Sequence, residues 1–357
     1  MTDQTIGIVG GGQLGRMLSM AAARLGFHTI ILEPELKCPA AQVAGSQITA
    51  PYDDPDALDT LAVLSDVITY EFENVPVSSA RALAEKKAVY PPPRALEVAQ
   101  DRLTEKQFLR DCGVKTAKFI AIDSQVQLDE ALERMGGTGV LKTRRLGYDG
   151  KGQMLFDQPG QSASHAFSKL GAVPLILENL VPFDAEISVI AARAKDGQTA
   201  TYDPAQNHHS EGILRRSVVP AQVPAQTLQA AKAAAISVVE SLDYVGVIGI
   251  EFFVLSDGGL LANEIAPRVH NSGHWTEAAC VVSQFDQHIR AICSLPLAAC
   301  TRHSDCVMGN LIGDDIDRVP QLLAEPDTFV HVYGKAETRP GRKMGHFTRL
   351  LDNGTRA

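Results

Sequence analysis

The chain has 357 residues, 45% of them hydrophobic, with 42 acidic against 33 basic side chains and a formal net charge of -9. That length holds two or three domains with sizeable cores, and the acidic balance excludes the clustered basic face that a nucleic-acid binder needs to neutralise phosphates. No stretch reaches the roughly 20 apolar residues of a membrane span, because Lys232 breaks the long Ala-rich segment Leu228 to Val239.

Met1 to Gly12 carries an acid and only a short apolar run, Ile6 to Val9, which is unlike a signal peptide. The six cysteines form no C-x-x-C pair, so reduced thiols in a cytoplasmic protein are expected. From there short apolar runs alternate with amphipathic ones: Thr5–Val9, a helix through Leu14–Leu25, His28–Leu32, a helix near Pro55–Leu64, and Val67–Tyr70. This is the rhythm of parallel β-α-β units. Pro91-Pro92-Pro93 interrupts it, and a charged helix Asp101–Asp111 follows, closed by Gly113, which places a domain boundary near residue 100. Beyond it an α+β region is expected, with hairpin-like strands Asp184–Lys195 before Asp196-Gly197 and Val245–Leu255 before Asp257-Gly258. A last stretch from about Leu295 alternates short strands (Val307–Ile312, Thr328–Tyr333, Met344–Leu350) and reads as a small third domain. The expected division is 1–100, 101–295 and 296–357.

Gly10-Gly11-Gly12-Gln13-Leu14-Gly15 fits G-x-G-x-x-G between strand and helix, and Glu33 ends the next strand near the offset of a ribose-binding acid. Three readings are open: a dinucleotide site, a tight turn packed with small residues, or a helix N-terminus holding another nucleotide's phosphate. Val140-Leu141-Lys142 leads into Arg144-Arg145-Leu146-Gly147-Tyr148-Asp149-Gly150-Lys151-Gly152, a glycine-rich cationic loop able to fold over a polyphosphate or to stand as a solvated hairpin tip. It does not have Walker spacing. Glu251 and Glu264 are symmetric about Asp257-Gly258, so a hairpin centred there opposes them with Cβ atoms roughly 4.5–5.5 Å apart. Two carboxylates so placed repel by about 3 kcal/mol at an effective dielectric near 20. An apolar strand keeps such a pair only with a cation, and a few oxygen ligands suit Mg²⁺ with nucleotide phosphates completing its shell. The alternative is a shifted register that sends one acid to solvent. The polar run Asn263-Glu264-Ile265-Ala266-Pro267-Arg268-Val269-His270-Asn271-Ser272-Gly273-His274 follows directly, as the wall of an active site would.

Taken together, GGGQLGRM (Gly10–Met17), EFENV (Glu71–Val75), DRLTEK (Asp101–Lys106), GYDGKG (Gly147–Gly152), NEIAPRVHNSGHW (Asn263–Trp275) and RPGRKMGH (Arg339–His346) resemble the 5-(carboxyamino)imidazole ribonucleotide synthetases of the ATP-grasp superfamily. The motifs span nearly the whole chain in order. The resemblance implies an ATP-grasp fold with an N-terminal Rossmann-like domain and a small C-terminal domain. It implies an ATP- and Mg²⁺-dependent ligase that carboxylates aminoimidazole ribonucleotide with bicarbonate through carboxyphosphate. The nucleotide would be held by Arg102, Lys142, Leu146 to Gly152 (Leu146, Gly147, Tyr148, Asp149, Gly150, Lys151, Gly152), Glu178, Asn179, Leu180, Val181, Glu186, His209, Asn263 and Glu264, and Mg²⁺ by Glu251 and Glu264. The ribonucleotide would touch Gln13, Glu73, Arg268, His270, Asn271, Lys335, Arg342 and Lys343. Tyr148, Asp149 and Lys151, with Arg268, His270 and Lys343, would surround the reacting groups. The resemblance also implies a cytoplasmic homodimer passing its product to a separate mutase, since the chain is too short for the mutase domain fused in fungal relatives. Two positions depart from the pattern. Leu146 stands where relatives commonly have Gly, which would stiffen the hinge. Ala266 replaces an Asn metal ligand of the wider superfamily, leaving that role to a water or to Asn271.

Overall fold

The computed structural model describes residues 4–147 and 151–351. Its first sheet is β3-β2-β1-β4-β5, all parallel: β1 (Thr5–Val9), β2 (His28–Leu32), β3 (Ser46–Ile48), β4 (Val67–Tyr70) and β5 (Ala88–Val89). The near-continuous apolar runs of β1, β2 and β4 suit strands covered on both faces. Helices Gln13–Arg24 and Pro55–Leu64 contribute to that cover, the second capped by Asp54, which accepts from the Ala57 N–H. The Pro run itself starts a helix, Pro93–Ala99, with Pro at its first position where no amide donor is needed. The helix at Arg102–Asp111 is capped by Asp101, which accepts from the N–H groups of Leu103 and Thr104.

A four-stranded antiparallel sheet, β6-β9-β7-β8, follows: β6 (Phe119–Ile122), β7 (Gly139–Thr143), β8 (Gln153–Phe156) and β9 (Leu175–Glu178). Facing the chemistry from the other side is a nine-stranded sheet of β10 (Ala185–Arg193), β11 (Thr199–Thr201), β12 (Ala205–Ser210), β13 (Ile213–Val219), β14 (Gly246–Val254), β15 (Leu260–Ala266), β16 (Asp305–Ile312), β17 (Thr328–Val332) and β18 (Lys343–Leu351). The Ala-rich segment is a helix, Ala225–Ser241, whose buried Ala231, Ala235, Val238 and Val239 pack with β10 and β14. The strands after residue 295 do not form a sheet of their own: Arg216 to Val219 of β13 pair antiparallel with Cys306 to Gly309 of β16, and the sheet continues through β18 to β17. Lys343, at the start of β18, is thereby carried on the same sheet as Glu251 and Glu264.

Candidate active site

The two carboxylates are opposed, by a route that differs from the simple symmetry of the sequence. The hairpin pairs Val254 with Leu260 and Phe252 with Ala262, so it centres on Asp257 alone, and an unbroken ladder would place Asn263 opposite Glu251. Glu264 would then point to the other face. A β-bulge at Asn263 inserts one residue and restores the pair Glu251↔Glu264. Burial and the Glu264 charge raise the Glu251 carboxyl to about 7. Glu264 lies 3.3 Å from Nη1 of Arg102.

Across the cleft, β7 and β9 bring Lys142 and Glu178 together at 3.2 Å. Glu178 is also 3.2 Å from Nζ of Lys106, a fully buried lysine that donates to the Asn263 carbonyl at 2.7 Å. Burial opposes charge on Glu178, but Lys106, Lys142 and Arg102 outweigh it and hold the carboxyl near 2. Its Oε1 is buried and has no protein partner. Burial also lowers the Lys142 ammonium. Glu105 and Lys106 lie in the DRLTEK motif, but nothing in their sequence context assigns them a role. Glu105 accepts from the Ile265 N–H at 2.6 Å and is raised to about 8 by burial and Glu264. Together they clamp the bulge that positions Glu264.

Lys142, Glu186, His209, Arg102, Leu146, Gly147, Asn263, Glu264 and Glu251 line one cavity of about 730 Å³ with Gln13, Glu73, Arg268, His270, Asn271 and Lys343. His209 Nδ1 lies 2.7 Å from Glu186. Burial works against its protonation, yet Glu186 and Glu251 raise its pKa. Phe183 and Phe253, a stacked pair with centroids 4.6 Å apart, add an apolar wall that the sequence reading did not assign. Glu178, Asn179, Leu180, Val181, Lys151, Gly152, Lys335 and Arg342 are not among the lining residues; Glu178 sits behind Lys142, and Arg342 donates to the Glu337 carbonyl. Lys335 donates from Nζ to the Lys343 carbonyl at 2.7 Å, and burial, with Arg342, lowers it to about 8. Tyr148, Asp149 and Gly150 lie outside the described residues. Leu146 takes φ 62, the left-handed region that favours glycine, and is 76% exposed beside the cleft. Asp101 anchors this loop by a paired contact with Arg144 at 2.8 and 3.0 Å.

The wall after β15 is held by packing. A side chain at Gly249 would bring its Cβ to 2.6 Å from the His270 Cβ, so only glycine lets His270 lie over β14. Gln284 fixes that segment, accepting from the His270 N–H and donating to its carbonyl. Burial, Arg268 and Lys343 push His270 down to about 3, leaving it neutral; its Nε2 is 3.8 Å from Glu251. Arg268 pairs with Glu73, whose carboxyl it holds near 2 against the opposing effect of burial. Asn271 has both side-chain polar atoms buried and without a protein partner.

The glycine fingerprint is occupied by the protein's own acids. Gly12 and Gly15 donate their N–H groups to Glu71 at 2.5 and 2.7 Å, and Gly11 donates to Glu33 at 2.8 Å. A Cβ on Gly12 would sit 2.5 Å from Glu71 Oε1. The amides that cradle pyrophosphate in a dinucleotide fold therefore already hold carboxylates. NAD(H) and NADP(H) are expected neither to bind nor to be consumed, and micromolar binding by calorimetry would overturn this reading.

Two facing sheets, with Lys142 and the start of a glycine-rich loop on one and paired carboxylates on the other, define the ATP-grasp class of ligases. Family models match in the same order: a ribonucleotide synthetase preATP-grasp domain over residues 3–100, an ATP-grasp domain over 107–285 and a phosphoribosylaminoimidazole carboxylase C-terminal domain over 306–357. The chain is 61% identical over 347 residues to the N5-carboxyaminoimidazole ribonucleotide synthase of Brucella melitensis, covering 97% of this chain and 96% of the relative. It superposes on an ADP complex of an N5-carboxyaminoimidazole ribonucleotide synthetase with TM-score 0.95 and 40% identity, covering 99% and 94% of the two chains. An Aspergillus clavatus enzyme in complex with ADP and 5-aminoimidazole ribonucleotide gives TM-score 0.90 and 30% identity over 98% and 94%. The chain belongs to the N5-carboxyaminoimidazole ribonucleotide synthetase family.

Proposed function

We propose that this ligase carboxylates 5-aminoimidazole ribonucleotide with bicarbonate at the expense of ATP, in purine biosynthesis, with ATP lying between β7–β9 and the large sheet. The observation that carries the reading is the opposed pair Glu251 and Glu264 facing the cleft across from Lys142. The donor set fits Mg²⁺: two carboxylates are opposed at the cleft, and the buried one, Glu251, is forced toward its protonated form in the absence of a positive charge. Bound there, Mg²⁺ would neutralise charge on the β- and γ-phosphates.

The chain's own groups do the rest. Lys142 and Arg102 orient the polyphosphate, and the loop through Leu146, Gly147 and Lys151 covers it. A bicarbonate oxygen attacks the γ-phosphorus and ADP leaves, giving carboxyphosphate. The ribonucleotide amine then takes the carboxyl, directly or as carbon dioxide, while phosphate departs and the amine loses a proton. Carboxyphosphate hydrolyses in open water, so a cover over the cleft is needed. His270 is held neutral, so Arg268 and Lys343 supply the positive field around the developing negative charge. Gln13, Glu73 and Asn271 would orient the ribonucleotide, with Lys335 and Arg342 toward its phosphate.

We also take the enzyme to be a cytoplasmic homodimer whose unstable carbamate product passes to a separate mutase. No helix among the described residues is long and apolar enough to cross a membrane. The test of function is phosphate release from ATP measured with and without both aminoimidazole ribonucleotide and bicarbonate. Full release is expected only with both; release indifferent to the ribonucleotide would overturn the substrate assignment.

A further inference from the structure

We propose that Glu277, His331 and His346 form a second metal site, distinct from the nucleotide cleft, that takes one divalent transition metal, Zn²⁺ by its donor set. His331 on β17 and His346 on β18 are directly opposed in the antiparallel ladder, so their rings project from one face, stacked with centroids 5.3 Å apart. The short helix Thr276–Ala279 brings Glu277 over that face. Its Oε2 lies 3.3 Å from His331 Nδ1 and 3.4 Å from His346 Nε2, and the three ligand atoms all lie within 4.8 Å of one another.

Those two separations are long for a charge-assisted hydrogen bond, about 2.7–2.9 Å. They match the edge of a tetrahedron whose ligands stand about 2.0–2.1 Å from a central ion, roughly 3.3–3.4 Å. Consistent with this, Glu277 Oε2 is buried and faces the two imidazole nitrogens at ion-pair separations, without the short, well-aligned hydrogen bond a simple pair would make. The supporting shell is also built: Nδ1 of His346 is 3.0 Å from the hydroxyl of the fully buried Tyr333. A proton on Nδ1 donated to that hydroxyl turns the Nε2 lone pair toward Glu277. Glu277 and His331 line a separate cavity of about 480 Å³, which gives the ion a way in and leaves its fourth position to water. Two imidazoles and one carboxylate select Zn²⁺ or its neighbours over the oxygen-seeking Mg²⁺ of the cleft. An ion here would tie β18, three residues past Lys343, to the segment that follows His274, joining two walls of the ribonucleotide site.

The test uses the full-length protein, stripped with chelator and titrated with Co²⁺, then with Zn²⁺. One equivalent of Co²⁺ should give the intense visible bands of tetrahedral coordination, displaced by Zn²⁺. His331→Ala, on the edge strand and checked for folding by circular dichroism, should weaken binding by at least about a hundredfold, and Tyr333→Phe by about tenfold. Glu251→Gln should leave the tetrahedral signal intact. Absence of tetrahedral bands, equal binding by folded His331→Ala, or loss of the signal in Glu251→Gln instead would each overturn the proposal.

Discussion

Glu251→Gln and Glu264→Gln are each expected to lower turnover by about 10²–10³-fold or more, since each removes charge aimed at the transferring phosphoryl group. The fold should survive. The amide is isosteric, the bulge is held by Lys106 and Glu105 rather than by the acids themselves, and like-charge repulsion in the hairpin is relieved. The two effects separate by pH. Glu251 titrates near 7 in the folded protein against an ordinary value of 4.5, so between those values the folded state binds more protons than the unfolded one. Without Mg²⁺, stability should therefore fall as pH rises from about 4.5 to 7. Glu251→Gln should lose that part of the slope, while the part belonging to Glu105, near 8, remains. Thermal melts of both proteins at pH 5 and pH 8, with phosphate-release assays across Mg²⁺ concentrations, check both statements. Near-wild-type turnover at ordinary Mg²⁺ would sink the metal assignment, and an unchanged slope would remove the carboxylate from the account.

Lys343→Ala is expected to depress carboxylation of the amine by about a hundredfold or more while ATP affinity stays within about threefold. Lys343 lines the cavity with His270 and Glu251, and its charge is felt by both. Lys142, expected to hold the nucleotide, stands on a different sheet, on β7, where it pairs with Glu178. The loss should therefore appear in the reaction of the ribonucleotide and not in nucleotide binding, a split that a surface turn carrying a solvated cation would not produce. Calorimetric ATP affinity measured alongside carboxylation separates the outcomes: an unchanged rate would place Lys343 outside the chemistry, and a parallel loss of ATP affinity would move it into the nucleotide site.

Much of this protein was legible without coordinates because its signals are short-range. The β-α-β rhythm of the first hundred residues is a periodicity read within one element at a time. The Glu251 and Glu264 spacing about Asp257-Gly258 needs only one hairpin, and long motifs such as NEIAPRVHNSGHW carry their family resemblance in contiguous residues. The four-stranded sheet is nearly invisible in the sequence: of its strands only the end of β7 reads as one, and although β8 follows directly, β9, which joins β7 to β6, lies more distant in the chain. Tertiary structure alone decided the rest. G-x-G-x-x-G has the same sequence whether its amides meet a pyrophosphate or Glu71, 56 and 59 residues away, and only packing showed which. Lys106 reads as a surface helix residue until the fold buries it against Glu178 and the bulge. The bulge itself, one inserted residue that reverses which face Glu264 occupies, follows from the ladder and not from composition. A pattern within one element reports the face that element must bury; what covers that face is set by chain segments hundreds of residues apart, through burial and charge that no local window contains.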